Sequence, residues 1–411
     1  MLSAAAAARA DSPAAWTNRA EELIRSGDKA GALSALSKAA EATPATAESE
    51  DRIGFLLAVL QQQTEAIAHF RKSIAIDWRY AAAHFHLGAA LWLANDTRDG
   101  MEELEQAAKL APGVFDYRYR LGAAYLQVGR YEDAATELKA ATAIDRSKPP
   151  VWESLGQALQ RSGDVAGALD AYREALKLDP ANDAAHNNYA AMLIETRQPD
   201  LGIAESRKVL EHHPGDLGAL MNIGYAHLKK GDFDAAEKAY REALTVDPKS
   251  AAAHYDLGIA LKMKDQIEQA QGELKEAIRL DPGLPQAHYT LGITHWQQGN
   301  FPAALEQMHA AIAAQPDYAE AHYMLGIILK QTGDLDGAVP ELKEAIRLDP
   351  TSPGPYNTLG QILRIKGDKQ GSEEAFATGT RLKKEADAKL ANTLDQGMRG
   401  GIMPQALPAA R

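Results

Sequence analysis

The chain has 411 residues, 45% hydrophobic and 24% charged, a composition that suits a folded protein and not a disordered or fibrous one. Acidic residues outnumber basic ones, 56 to 44, for a formal charge of −12, which argues against nonspecific binding to nucleic-acid phosphates. Cysteine is absent, which excludes disulfides, thiolate metal sites and thiol catalysis, and no apolar run nears the roughly 18 residues that span a bilayer.

Residues 1–12 form an Ala-rich leader. Ala8-Arg9-Ala10 has the small-x-small form of a cleavage site. Yet no basic segment opens the chain, and a secretory signal needs roughly 15–30 residues. The leader reads as a disordered lead-in, which goes with the favoured cytoplasmic location. The other reading is the remnant of a signal that starts upstream, which would place the protein in the periplasm or outside the cell.

From residue 13 a 34-residue period takes over. Small residues stand at Ala20, Gly54, Gly88, Gly122, Gly156, Ala190, Gly224, Gly258, Gly292, Gly326 and Gly360. Twelve positions after each comes another small residue, from Ala32 and Ala66 to Ala338 and Ser372. Proline recurs near the unit ends, at 44, 112, 180, 214, 248, 282, 316 and 350. This defines eleven units over residues 13–386.

The first unit carries Arg19 beside the small slot, as suits a solvated end. In the second, third and fourth units Gly54, Gly88 and Gly122 keep the phase. The sixth departs, with Tyr189-Ala190, Pro199, Ser206 and Val209 off pattern. The tenth shows the internal plan most clearly. In "AEAHYMLGIILKQTGD" (319–334), Leu325, Ile328 and Leu329 share one helical face, and Gly333-Asp334 supplies a C-cap followed by an N-cap. A second helix follows, with Ala338, Leu342, Ala345 and Ile346 on one face, and Pro350 closes it. Pro302 and Pro340 are placed in the first turns of their helices. After Lys384 the last helix is expected to continue into a charged cap within 387–411, with "IMPQALPAAR" beyond it as a mobile tail.

Each unit is thus two helices whose small residues let the axes approach closely. The fifth unit, with Trp152, Leu155-Gly156, Leu159, Ala168, Tyr172 and Pro180, resembles the tetratricopeptide repeat, and the resemblance covers about nine-tenths of the chain. It implies an all-α fold, a right-handed superhelical solenoid of antiparallel helix pairs. The first helices would line a concave groove that holds a protein or peptide, and no reaction is implied.

His84, His186, His254, His288 and His322 share the slot four residues before the small residue with Trp16, Trp152 and Tyr356. A slot that exchanges flat rings is read as a packing site. Equivalent histidines on helices roughly 8–10 Å apart are too far apart to share one metal unaided. No cofactor or metal is expected, and no nucleotide-binding or hydrolase motif occurs.

Residues three before, one after and four after the small slot should face the groove. These include Phe85, Trp92 and Tyr119, then Met221, Tyr225, Tyr255, Ile259, Tyr289, Ile293, Trp296, Tyr323 and Ile327. Such rings make good anchors for a partner, although tyrosine here also fills space against the next unit. Asn and Lys do not fall where a carboxylate clamp for acidic peptide tails would need them. The expected function is a non-enzymatic interaction scaffold with a protein or peptide partner, no nucleic acid and no membrane span. The alternative is a structural protein that self-assembles into homo-oligomers or filaments.

Overall fold

The computed structural model describes residues 12–399, and side chains up to residue 389. The Ala-rich leader up to Asp11, with its small-x-small site at Ala8–Ala10, and the tail "IMPQALPAAR" lie outside the described residues. Within them every regular element is an α-helix. The chain falls into two compact units divided at Val209 and Leu210, in the last turn of the helix Pro199–His212, which is described with the first unit.

The N-terminal unit pairs α1 (Pro13–Ser26) with α2 (Lys29–Glu41), α3 (Ala47–Val59) with α4 (Gln63–Ile76), and α5 (Ala81–Leu93) with α6 (Thr97–Leu110). It continues with α7 (Phe115–Gln127) and α8 (Tyr131–Ile144), α9 (Pro149–Ser162) and α10 (Val165–Leu178), then α11 (Asp183–Glu195) and α12 (Pro199–His212). The C-terminal unit pairs α13 (Leu217–Lys230) with α14 (Phe233–Val246), α15 (Ala251–Met263) with α16 (Ile267–Leu280), and α17 (Pro285–Gln297) with α18 (Phe301–Ala314). Last come α19 (Ala319–Thr332) with α20 (Leu335–Leu348), and α21 (Pro353–Ile365) with the long α22 (Lys369–Arg399). The all-α class and the tandem helix pairs are as the sequence predicts.

The small slots are where paired helices cross. A methyl added at Gly156 would stand 2.6 Å from Cε1 of Tyr172, and one at Gly224 would stand 2.5 Å from Cε1 of Tyr240. Both tyrosines are fully buried. Their rings lie against bare backbone, and a side chain of that size contributes roughly 1.5–3 kcal/mol when buried. In the sixth repeat, where Ala190 replaces glycine, the residue in the tyrosine's place is the buried Ser206, small enough to leave room for a Cβ.

Within each pair the turn is short, and its second-last residue adopts the left-handed conformation. Seven of these residues are glycines, such as Gly333 at φ 89°, but Gln61, Asn95, Arg197 and Asp265 adopt it as well. Asp334 then caps α20 by accepting from Gly337 N at 2.8 Å. Pro302 sits in the first turn of its helix as expected. Pro340 does not. Because α20 starts directly after Asp334, Pro340 is its sixth residue, and the Asp336 carbonyl loses its intrahelical donor.

First helices also contact first helices of the next repeat. In the N-terminal unit α1 meets α3, α3 meets α5, α7 meets α9 and α9 meets α11. In the C-terminal unit α13 meets α15, α17 meets α19 and α19 meets α21. Among the described residues no two second helices of adjacent repeats pack as closely as these first helices do. Within each unit, therefore, the first helices crowd the inner side.

Candidate partner-binding face

The histidine slot is a hydrogen-bonded staple. His322 Nε2 lies 3.1 Å from the Pro316 carbonyl, in the loop before its helix, and Nδ1 lies 2.7 Å from Oε2 of Glu341 on the second helix. His84 makes the same pair of contacts, to Trp78 O at 2.9 Å and Glu103 at 2.5 Å. So do His186 with Pro180 and Glu205, and His254 with Pro248 and Glu273. His288 has Pro282 and Gln307. Arg118 fills the slot in the fourth repeat, donating from Nε to Pro112 O at 3.2 Å and from Nη1 to Glu137 at 2.6 Å. Trp152 donates to the equivalent carbonyl of Arg146. The ring thus ties the loop to both helices. The sequence reading missed this second-helix partner, which stands 19 residues after each slot histidine and Arg118 and is a glutamate in every case but Gln307. Among the described residues no group of three or more His, Asp or Glu comes together as a metal site.

The twelve residues expected to face the groove are all half-buried, each within its own unit. In the N-terminal unit Phe85, Trp92 and Tyr119 pack on the core around Leu104, Leu121 and Leu155. Phe85 meets the Tyr117 ring with centroids 4.7 Å apart, and Trp92 Nε1 donates to Gln127 at 3.1 Å. In the C-terminal unit Met221 leans on the cluster of Tyr240, Leu257 and Leu261. Tyr225 carries the Lys229 ammonium 4.8 Å above its ring. Tyr255 and Ile259 follow on α15. Tyr289, Ile293 and Trp296 cover Met308, Leu325 and Ile328, and Trp296 Nε1 donates to Gln331. Tyr289 also meets Tyr318, centroids 5.1 Å apart. Tyr323 lies on the next cluster, its hydroxyl so close to Gly354 that a methyl there would stand 2.7 Å away, and Ile327 follows one turn on. Each ring is therefore shared between the core and an open face.

Charge on this face is sparse and poorly solvated. Burial pushes the Asp256 carboxyl up to about 6 and lowers the Lys262 ammonium below its ordinary value. The phenols of Tyr255 and Tyr289 are raised, chiefly by burial. Such a surface offers contact area, hydrogen bonds and isolated charges.

The fold and this face define a tandem helix-pair repeat protein of the protein-binding scaffold class. Profiles described as tetratricopeptide repeat match residues 91–158, 149–182, 221–285 and 289–353, together more than half of the chain. The chain belongs to the tetratricopeptide repeat family.

Over 207 residues it is 24% identical to the BBSome complex member bbs-4 of Caenorhabditis elegans, covering 40% of this chain and 45% of that protein. Over 98 residues it is 31% identical to the small glutamine-rich tetratricopeptide repeat-containing protein 2 of Mycosarcoma maydis, covering 24% and 28%. The chain thus spans less than half the length of these relatives. Among solved structures, yeast Tom70 matches with a TM-score of 0.52 at 14% identity, over 94% of this chain and 96% of that one. A tetratricopeptide repeat protein from Parabacteroides merdae matches at 0.55 and 13%, over 61% and 98%. Both show the fold alone. No described helix is long and apolar enough to cross a membrane.

Proposed function

We propose that the chain is a non-enzymatic scaffold that holds a partner protein or peptide against the inner faces of its first helices. The principal surface in this reading is the strip of Tyr255, Ile259, Tyr289, Ile293, Trp296 and Tyr323 in the C-terminal unit. The supporting observation is that every one of these large apolar side chains stops at half burial, on the side where first helices crowd together. Rings held in place by the core lose little freedom when a partner covers them. A relative described as a member of a complex is consistent with such a role.

The test is the double variant Tyr289→Ala with Trp296→Ala in the full chain, with circular dichroism and melting as fold controls. Partners are recovered by crosslinking in the native cell. Two central anchors together should weaken a partner's affinity at least tenfold. Recovery of the same proteins at the same level from the folded variant would place the contact elsewhere. If the wild type yields only copies of itself through this strip, the protein self-assembles instead.

A further inference from the structure

The position two residues before the small slot serves as a bridge between first helices near the N-terminus. Arg52 reaches back to Glu21 at 2.6 Å and Asn18 at 2.9 Å, and His86 reaches back to Asp51 at 2.8 Å. In the eighth repeat the residue there is Asp256, on α15. Among the described residues its carboxylate has no hydrogen-bond or ion-pair partner, although it is half-buried.

A second polar group beside it is also unmet. Tyr240 on α14 is fully buried, and its hydroxyl has no hydrogen-bond partner. The tyrosine in the same place in the fifth repeat donates to Gln160 at 2.9 Å. Leu228 stands where that glutamine would be, and so removes the partner. Burial raises the Tyr240 phenol, and the Asp256 carboxylate adds to that rise. An acid partly withdrawn from water without a donor is a net loss to the fold.

Asp256, Ile259 and Lys262 follow one another at three-residue spacing, so the acid sits at one edge of the apolar strip. Lys262 has no carboxylate partner among the described residues and lies on the far side of Ile259. The isolated charges point in opposite directions of need, one for a cation and one for an acceptor.

We infer that Asp256 is a specificity site that accepts a lysine or arginine side chain of a bound peptide whose apolar residues cover Tyr255, Ile259, Tyr289 and Ile293. This rests on the groove reading above and adds the chemistry of the partner. Charge complementarity selects the cation, because a carboxylate can only accept hydrogen bonds. The aromatic edges beside it favour a basic side chain with a long apolar stem.

The test uses a displayed library of random twelve-residue peptides, selected in parallel on the full chain, on Asp256→Asn, and on Tyr289→Ala with Trp296→Ala. The wild type should enrich apolar peptides with one lysine or arginine at a fixed position. Asp256→Asn should still enrich apolar peptides but lose the basic residue, with about tenfold weaker binding of the wild-type winners. The variant should also melt higher than wild type near pH 7, because it removes an unpaired acid. An apolar signature that lacks a basic residue, or keeps it in Asp256→Asn, overturns the inference and leaves the groove reading standing. Peptides that bind the double-alanine variant equally well, or no enriched peptides at all, overturn both. Self-association lost in Asp256→Asn with no enriched peptide would assign the site to a second copy of the chain and sink the inference.

Discussion

His84 and Arg118 occupy the same slot and make the same two contacts, and that equivalence explains what the ring must supply. A loop carbonyl and a carboxylate can only accept, so the side chain between them must donate in two directions. A guanidinium always does so, whereas an imidazole does so only when protonated. The hydrogen bond to Glu103 accordingly raises the His84 pKa against the opposing effect of burial, with help from the Trp78 carbonyl. Raised in the folded state, the group stabilises fully below the unfolded value near 6.5, and the contribution is lost as pH rises through the folded value. His84→Arg should therefore leave stability at pH 6 nearly unchanged and raise it at pH 8. Denaturant unfolding at both pH values checks this. An equal gap between the two pH values in variant and wild type would show that the staple is not protonation-dependent. The slot is legible in the sequence as a place for flat rings. Its donor chemistry is not, because the partners lie six and nineteen residues away on other elements.

At the scale of the element, the turn between paired helices is set by geometry before sequence. The backbone must pass through the left-handed region to bring the second helix back along the first, and it does so whether or not glycine is present. Gln61, with φ at 64°, bears a Cβ there that costs about 1–2 kcal/mol relative to the right-handed region. Gln61→Gly relieves that strain and loses part of the gain to a freer unfolded chain. A net stabilisation of about 0.5–1 kcal/mol is expected in denaturant melts, with Gln61→Ala giving none. A stabilisation by alanine as large as that by glycine would mean the side chain, not the backbone, is the burden. Glycine marks seven of these turns in the sequence, and the 34-residue phase locates the other four. Pro340 misled for a related reason: the period locates a unit to the residue, but the start of its second helix is decided by the cap at Asp334.

At the scale of the whole molecule, helix pairing was readable because it depends on side chains in one repeat meeting their own partners twelve to nineteen positions on. The exposure of the candidate face was not, because how far a ring is covered depends on the next repeat, as Gly354 shows by lying against Tyr323. The same locality governs how damage should spread. Among the described residues the close helix contacts run within a repeat or to the adjacent one, so stability is approximately a sum of repeats and interfaces between neighbours. Gly224→Val tests this, since its Cβ would stand 2.5 Å from Cε1 of the fully buried Tyr240 and force α13 and α14 apart. Overpacking of that kind costs about 1–3 kcal/mol. Native-state hydrogen exchange should show faster opening in α13, α14 and α15, while α19 to α21 in the same unit keep their wild-type protection. Loss of protection spread evenly from α13 to α21 would show that the C-terminal unit opens as one block, and that coupling beyond the nearest neighbour dominates its stability.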